Sequence, residues 1–289
     1  MTQTQKKMPI QKTTILPNLR NIAGDYDVFI FDLWGVTHNG KQSFPGAIES
    51  FTELKALGKP VYFLSNAPRR KSVAMDQLID RGVPRELYVD LMTSGEDCYE
   101  HLRDRPDTFY QGLGDRLYHL GPDKDKNLFE GLPYKNVDLE QADFILNTGT
   151  LTFEDTVDDY QEILEKAASL KLPMVCANPD KIVLYGDGEA ICAGLIADRY
   201  KEMGGKVVYH GKPDRSIFAK TFVKFNMNGK RVLMVGDSLG TDIKGAQNAG
   251  IDSLFILSGI HKQKTPEQAT ALYPIYGVTP TYVQEYVTW

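Results

Sequence analysis

The sequence predicts an α/β protein with a parallel sheet and a second α/β unit inserted into it. Two patterns carry the first part: short apolar runs alternate with segments of helical periodicity, and several runs stop at a polar residue. Such alternation gives a parallel sheet with right-handed crossovers. One overlong connection carries the second part.

Val28–Asp32 is a continuous apolar run closed by an aspartate, as expected of a strand buried on both faces. Ala47–Leu57 sets Ile48, Phe51, Leu54 and Leu57 at helical spacing, and Gly58 with Pro60 stops it. Val61–Leu64 is a second buried strand, and Arg69–Arg81 a helix closed by Gly82 and followed by Pro84. Further on, Lys206–Tyr209, Arg231–Val235 and Ser253–Leu257 read as strands, with helices over Asp214–Phe225 and Asp242–Ala249. A βαβ crossover takes roughly 30 residues, which suits Asp32 to Ser65 and Lys212 to Asp237. The chain between Ser65 and Lys212 is several times longer. It holds its own strands, Arg116–Leu120, Phe144–Leu146 and Met174–Ala177, and a helix over Asp155–Leu170. The expected division is a core of residues 1–95 and 188–289 and an inserted α/β domain of residues 96–187.

Composition excludes several classes. In 289 residues, 42% hydrophobic and 25% charged, there is enough apolar side chain to offset the entropy of ordering, so the chain is globular rather than disordered. A net charge of −5 argues against a general nucleic-acid binder, which needs a basic face. Cys98, Cys176 and Cys192 are scattered and odd in number, which suits buried thiols in a reducing compartment, not a disulfide scaffold or a zinc site. Met1–Lys12 is polar and reads as a loose tail, not a signal peptide. No apolar stretch approaches a membrane span. A cytoplasmic protein with no membrane partner is expected. Tyr273, Tyr276, Tyr282, Tyr286 and Trp289 make the C-terminal segment aromatic, which fits core packing or a contact in a homodimer.

Ligands of parallel α/β sheets bind beyond the carboxyl ends of the strands. Asp32, Ser65 with Asn66, Lys212 and Asp237 all follow predicted strands. Alone, each is an ordinary cap or solvated side chain. Together they combine: Asp32 and Asp237 suit a hard divalent cation, while Ser65 and Lys212 offer a hydroxyl and an ammonium to a phosphate. Asp242 stands at a predicted helix start, where the helix dipole alone would favour it. Phosphoryl chemistry is the expectation. Asp123, Asp125 and Asn127 imitate an EF-hand, but Leu128 and Tyr134 break its pattern.

FDLWGV (Phe31–Val36), LSNAP (Leu64–Pro68), GKP (Gly211–Pro213) and GDSLGTDIKGAQNAG (Gly236–Gly250) resemble, in order and spacing, the four motifs of the haloacid dehalogenase (HAD) superfamily. The long insertion resembles the C2-type cap of its class IIA branch, that of NagD-like and 4-nitrophenylphosphatase-like enzymes, and ANPD (Ala177–Asp180) resembles a signature of that branch. The resemblance implies a HAD-like Rossmannoid core with an inserted α/β cap. It also implies Mg²⁺-dependent hydrolysis of a small phosphorylated metabolite, a sugar phosphate or nucleotide-like ester, through an aspartyl phosphate. In that pattern Asp32 is the nucleophile, Ser65 and Lys212 bind the transferring phosphoryl group, and Asn66 and Gly35 add donors. Asn178 and Asp180 lie where cap meets core. The metal is held by Asp32, the backbone carbonyl of Trp34, Asp237 and Asp242.

One position departs from the pattern. HAD phosphatases carry DxDG in the first motif, and the second aspartate is the general acid/base; here it is Trp34. The backbone ligand survives this change, but the acid does not. General acid–base help is worth about 10²–10⁴-fold, so a slow phosphatase, or one restricted to good leaving groups, is expected. His38 and Asp180 are candidate replacements, with a solvated loop histidine the plainer reading of His38. Trp34 would also stack on a flat substrate group. Two other readings follow from Trp34. One is a phosphate-ligand binding or regulatory protein with little turnover. The other is a dehalogenase, a class with an aromatic residue there but no need of Asp237 and Asp242.

Overall fold

The computed structural model describes residues 12–185 and 188–289; apart from Lys12, the tail expected at Met1–Lys12 lies outside the described residues. The first sheet has seven parallel strands, in the order Thr14–Ile15, Tyr282–Gln284, Asp252–Ile256, Val232–Gly236, Val28–Phe31, Val61–Ser65 and Asp90–Thr93. Its central strands are unbroken apolar runs because both faces are covered. Phe29, Phe31, Phe63 and Val235 pack with Phe51 and Leu54 of helix Pro45–Ala56. Val28, Ile30, Leu64 and Met234 face the other way, onto Ile217 and Phe218 of helix Arg215–Lys224.

Chain order reverses between Val28–Phe31 and Val232–Gly236. From there the strands of residues 28–93 run to one edge and those of residues 232–284 to the other. In open α/β sheets the crevice beyond the carboxyl ends at such a reversal is the ligand site. Asp32 and Asp237 leave the sheet on the two sides of that crevice.

The second sheet has five parallel strands, in the order Val207–Tyr209, Met174–Cys176, Phe144–Asn147, Arg116–Leu120 and Lys135–Asn136. An antiparallel hairpin, Ile182–Tyr185 with Gly188–Ile191, stands beside it. Here the structure departs from the sequence reading, which returns the chain to the first layer at residue 188. Ala193, Ile196 and Tyr200 of helix Ala193–Glu202 pack with Met174 and Cys176, and Val207–Tyr209 pairs with Met174–Cys176. A three-residue strand carries no periodicity that names its sheet. The chain leaves the second sheet only at His210, two residues before Lys212.

The expected helix over Asp155–Leu170 is also shorter. Asp155 accepts from the Leu151 N–H at 3.0 Å and Asp159 from the Thr156 N–H at 2.8 Å. These local bonds compete with helix formation, so the regular helix is Gln161–Ser169. The three cysteines are free and buried. Among the described residues, no helix is long and apolar enough to cross a membrane.

Candidate active site

Asp32 continues the sheet register, donating its N–H to Val235 O at 2.9 Å. Its carbonyl accepts from Thr37 Oγ1 at 2.7 Å, which ties the following turn to the strand end. The residue stays buried at the crevice floor, 8% exposed, and its carboxylate meets Lys212 Nζ at 2.6 Å. Lys212 is itself 1% exposed. Its ammonium also contacts Leu64 O at 2.7 Å and Asp242 Oδ1 at 2.7 Å. Burial works against that charge, but Asp242, Asp32 and Asp180 together hold Lys212 above the usual lysine range.

Asp237 and Asp242 complete the floor. Asp237 Oδ2 accepts from the Ile260 N–H at 3.1 Å. The sequence expectation for Asp242, an ordinary helix start, is replaced by a wide π-turn over Leu239–Ile243. Such turns recur at functional sites, and this one places Asp242 Oδ2 on the Ser238 N–H at 3.1 Å. Oxygens of Asp32, Asp237 and Asp242 all lie within 4.8 Å of one another, and all three residues are buried. Burial pushes Asp32 upward against the pull of Lys212, and burial with the repulsion of Asp32 drives Asp237 well above the carboxylate range. One ammonium does not balance three carboxylates. The surplus of hard oxygen donors fits a divalent cation.

Gly35 serves this arrangement sterically. Its N–H, expected to reach a phosphate, instead donates to His38 O at 2.9 Å, closing the turn after Trp34. A Cβ on Gly35, at φ +80°, would fall 2.3 Å from Asp237 Oδ2, and one on Gly259 would fall 1.6 Å from the same atom. Gly259→Ala is therefore expected to displace the Asp237 carboxylate and weaken any divalent-cation binding at the floor while the fold persists. Calorimetric titration with Mg²⁺ and circular dichroism of the variant check this; unaltered cation affinity would show that the carboxylate has room to move.

Ser65 ends its strand and borders a cavity of about 140 Å³ between the two sheets. Asn66 works as a clamp. Its Oδ1 accepts the Lys212 N–H at 2.8 Å, and its Nδ2 donates to Lys212 O at 3.1 Å and to Asp180 Oδ1 at 2.8 Å. Those bonds commit its side-chain amide to protein groups, while the residue itself lines the first cavity with Asp32 and Ser65. Asn178 Oδ1 accepts the Asp180 N–H at 3.0 Å, the turn that Asn-Pro-Asp favours. A second cavity of about 510 Å³ opens toward Asp237 and Asp242, and Asp32, Trp34, Asp180 and Val183 border both.

The sequence reading missed Arg69 and Lys124, two cations on the first cavity, together with Thr150 and Phe153. Arg69 Nε is held by the buried Asp125 at 2.9 Å, and Lys124 Nζ lies 5.4 Å over the Phe153 ring. Asp125, the false EF-hand residue, had the one available signal: an aspartate in a loop beyond a strand of the inserted domain.

Trp34 is wedged against its own loop. His38 packs edge-on at 5.4 Å, and a Cβ on Gly40 would strike the indole at 2.6 Å. His38 is not the solvated histidine expected; it is buried, and its Nδ1 accepts the Gly40 N–H at 3.0 Å. Burial and then Arg81 bring its pKa down to about 3. It is a neutral spacer behind Trp34.

A haloacid dehalogenase-like hydrolase family model matches residues 29–135, and a HAD-hydrolase-like model matches residues 209–288. Together they take in every residue of the floor. The chain belongs to the haloacid dehalogenase superfamily, in its NagD-like class IIA branch. It is 25% identical over 249 residues to the 5'-nucleotidase YutF of Bacillus subtilis, covering 83% of this chain and 90% of that one. It is 24% identical to the ribonucleotide monophosphatase NagD of Escherichia coli, covering 85% and 94%. A haloacid dehalogenase-like hydrolase from Brucella suis superposes with a TM-score of 0.82 at 29% identity, over 94% of this chain and all of that one.

Proposed function

We propose that this HAD phosphatase hydrolyses a small phosphomonoester, a sugar phosphate or nucleotide-like ester, through attack of Asp32 on phosphorus. The observation that carries the reading is the buried Asp32 carboxylate, which meets Lys212 Nζ at 2.6 Å on a floor shared by two cavities. Lys212 fixes the attacking oxygen and offsets its charge, so it aims the nucleophile and receives the incoming phosphoryl oxygens. Ser65, whose Oγ accepts the Ala67 N–H at 3.2 Å, brings a hydroxyl to the first cavity. The second sheet and its hairpin act as the cap over residues 96–187 and onward to Tyr209. That cap turns Thr150, Phe153 and Lys124 toward the organic part of the substrate and sheds water from the floor.

Asp32, Asp237, Asp242 and the Trp34 carbonyl would hold Mg²⁺, which supplies charge neutralisation at the phosphoryl oxygens when bound. A binding protein with little turnover is favoured by Trp34 alone, whereas a complete nucleophile and cation set favours chemistry. A panel of small phosphomonoesters assayed with Mg²⁺ and with chelator decides between them. Release that needs Mg²⁺ supports the phosphatase, and none from any ester supports the binder. In parallel, Mg²⁺ at a hundred times its dissociation constant is expected to stabilise the fold by about 2.7 kcal/mol. Thermal unfolding with and without chelator measures this, and coincident curves would remove the cation from the account.

A further inference from the structure

Losing the family's acid at position 34 leaves a question that the two cavities answer. Four residues border both of them: Asp32, Trp34, Asp180 and Val183. Two of these carry a transferable proton, and Asp32 is committed to attack. Other groups on the first cavity are engaged elsewhere. Asp125 is paired with Arg69 at 2.9 Å, Lys124 is turned onto Phe153, and burial pushes the Cys192 thiol far above its usual range. On the second cavity Lys181 is paired with Asp198 at 2.6 Å. His38 lies behind Trp34 with its Nδ1 occupied.

Asp180, by contrast, is held firmly where both cavities meet Asp32. Asn66 grips its Oδ1 at 2.8 Å with the same amide that grips both backbone atoms of Lys212. Its loop is pinned by Asn178 and by the Gly194 N–H, which donates to Asp180 O at 3.0 Å. A Cβ on Gly194 would come within 2.3 Å of Pro179 O, so the loop lies flat against the helix that follows.

We propose that Asp180 is the catalytic acid/base of this enzyme, an assignment that rests on the phosphatase reading above. In the first step Asp32 Oδ bonds to phosphorus, the bond from phosphorus to the ester oxygen breaks, and the Asp180 proton passes to that oxygen to release the alcohol. In the second, a water oxygen bonds to phosphorus and Asp180 takes its proton. The phosphorus–Asp32 bond then breaks, returning the carboxylate and releasing phosphate. One water is consumed per ester, and both side chains are restored. Burial raises the Asp180 carboxyl to about 6 while Lys212 and the Asn66 bond pull it down and Asp242 pushes it up, so both protonation states are accessible near neutrality.

The test is rapid-mixing kinetics of Asp180→Asn on two esters, 4-nitrophenyl phosphate and an alkyl phosphate. 4-Nitrophenolate leaves without a proton, so the variant is expected to give a burst near one equivalent and then a slow steady state, as the aspartyl phosphate waits for a base. The alkyl ester should show no burst, and its turnover should fall about a hundredfold or more. Equal losses of burst and steady state on both esters, or no loss, would overturn the assignment. Asp180→Glu keeps a carboxyl and guards against a folding defect. Its alkyl-to-aryl turnover ratio should stay within about tenfold of the unaltered enzyme's, and a collapse as deep as that of Asn would count against the acid. No release from either ester by the unaltered enzyme would defeat the underlying phosphatase reading instead.

Discussion

Asp32→Asn is expected to lower turnover by about 10⁴-fold or more, the scale at which loss of a nucleophile shows in covalent enzymes. The amide is nearly the same shape, so the loss is chemical. The same variant should not be destabilised in the absence of a cation. Asp32, Asp237 and Asp242 crowd within 4.8 Å of one another, and of the three Lys212 meets only Asp32 and Asp242. Turning one of these buried, mutually raised carboxyls into an amide relieves desolvation and repulsion. Phosphate release and thermal unfolding read the two effects separately. A variant that loses activity by unfolding would contradict this picture of an overcharged floor.

Lys212→Met is expected to act in the opposite sense on stability. It takes the only ammonium among the described contacts of Asp32 and leaves Asp32 and Asp242 buried without it. Breaking a buried pair from one side typically costs about 3–5 kcal/mol. Part of that should return when Mg²⁺ is added, because the cation and the ammonium offset the same carboxylates. Turnover should fall by about 10²–10³-fold, as for the loss of one preorganised electrostatic group. Denaturant unfolding with and without Mg²⁺ measures the first effect. A loss of stability that Mg²⁺ leaves wholly unchanged would mean that lysine and cation do not share these oxygens.

Much of the floor was legible in the sequence because strand ends are. An apolar run that stops at Asp32, Ser65 or Asp237 fixes both the end of a strand and a side chain beyond it, and the parallel sheet brings those ends together. Lys212 was legible as a residue and not as a place: its strand, Val207–Tyr209, belongs to the second sheet, and the lysine enters the floor from the crossing segment. Asp242 illustrates a competing force, since a helix-dipole argument explains an aspartate there without the π-turn that aims it. His38 read as a loop residue because burial by Trp34 and Arg81 is tertiary. Gly35 read as a donor, whereas its use is the space it leaves for Asp237. The cations Arg69 and Lys124 were not legible as cavity residues, because only the packing of the cap on the core brings them to the first cavity.

If Asp32 carries the phosphoryl group between the two steps, the adduct can be captured directly. The enzyme is mixed with 4-nitrophenyl phosphate and Mg²⁺, quenched in acid within one turnover, and mapped by peptide mass. A phosphoryl adduct on Asp32, absent when Mg²⁺ is chelated and absent from Asp32→Asn, is the predicted result. Phosphate released at full rate with Asp32 unmodified, and retained by Asp32→Asn, would contradict it.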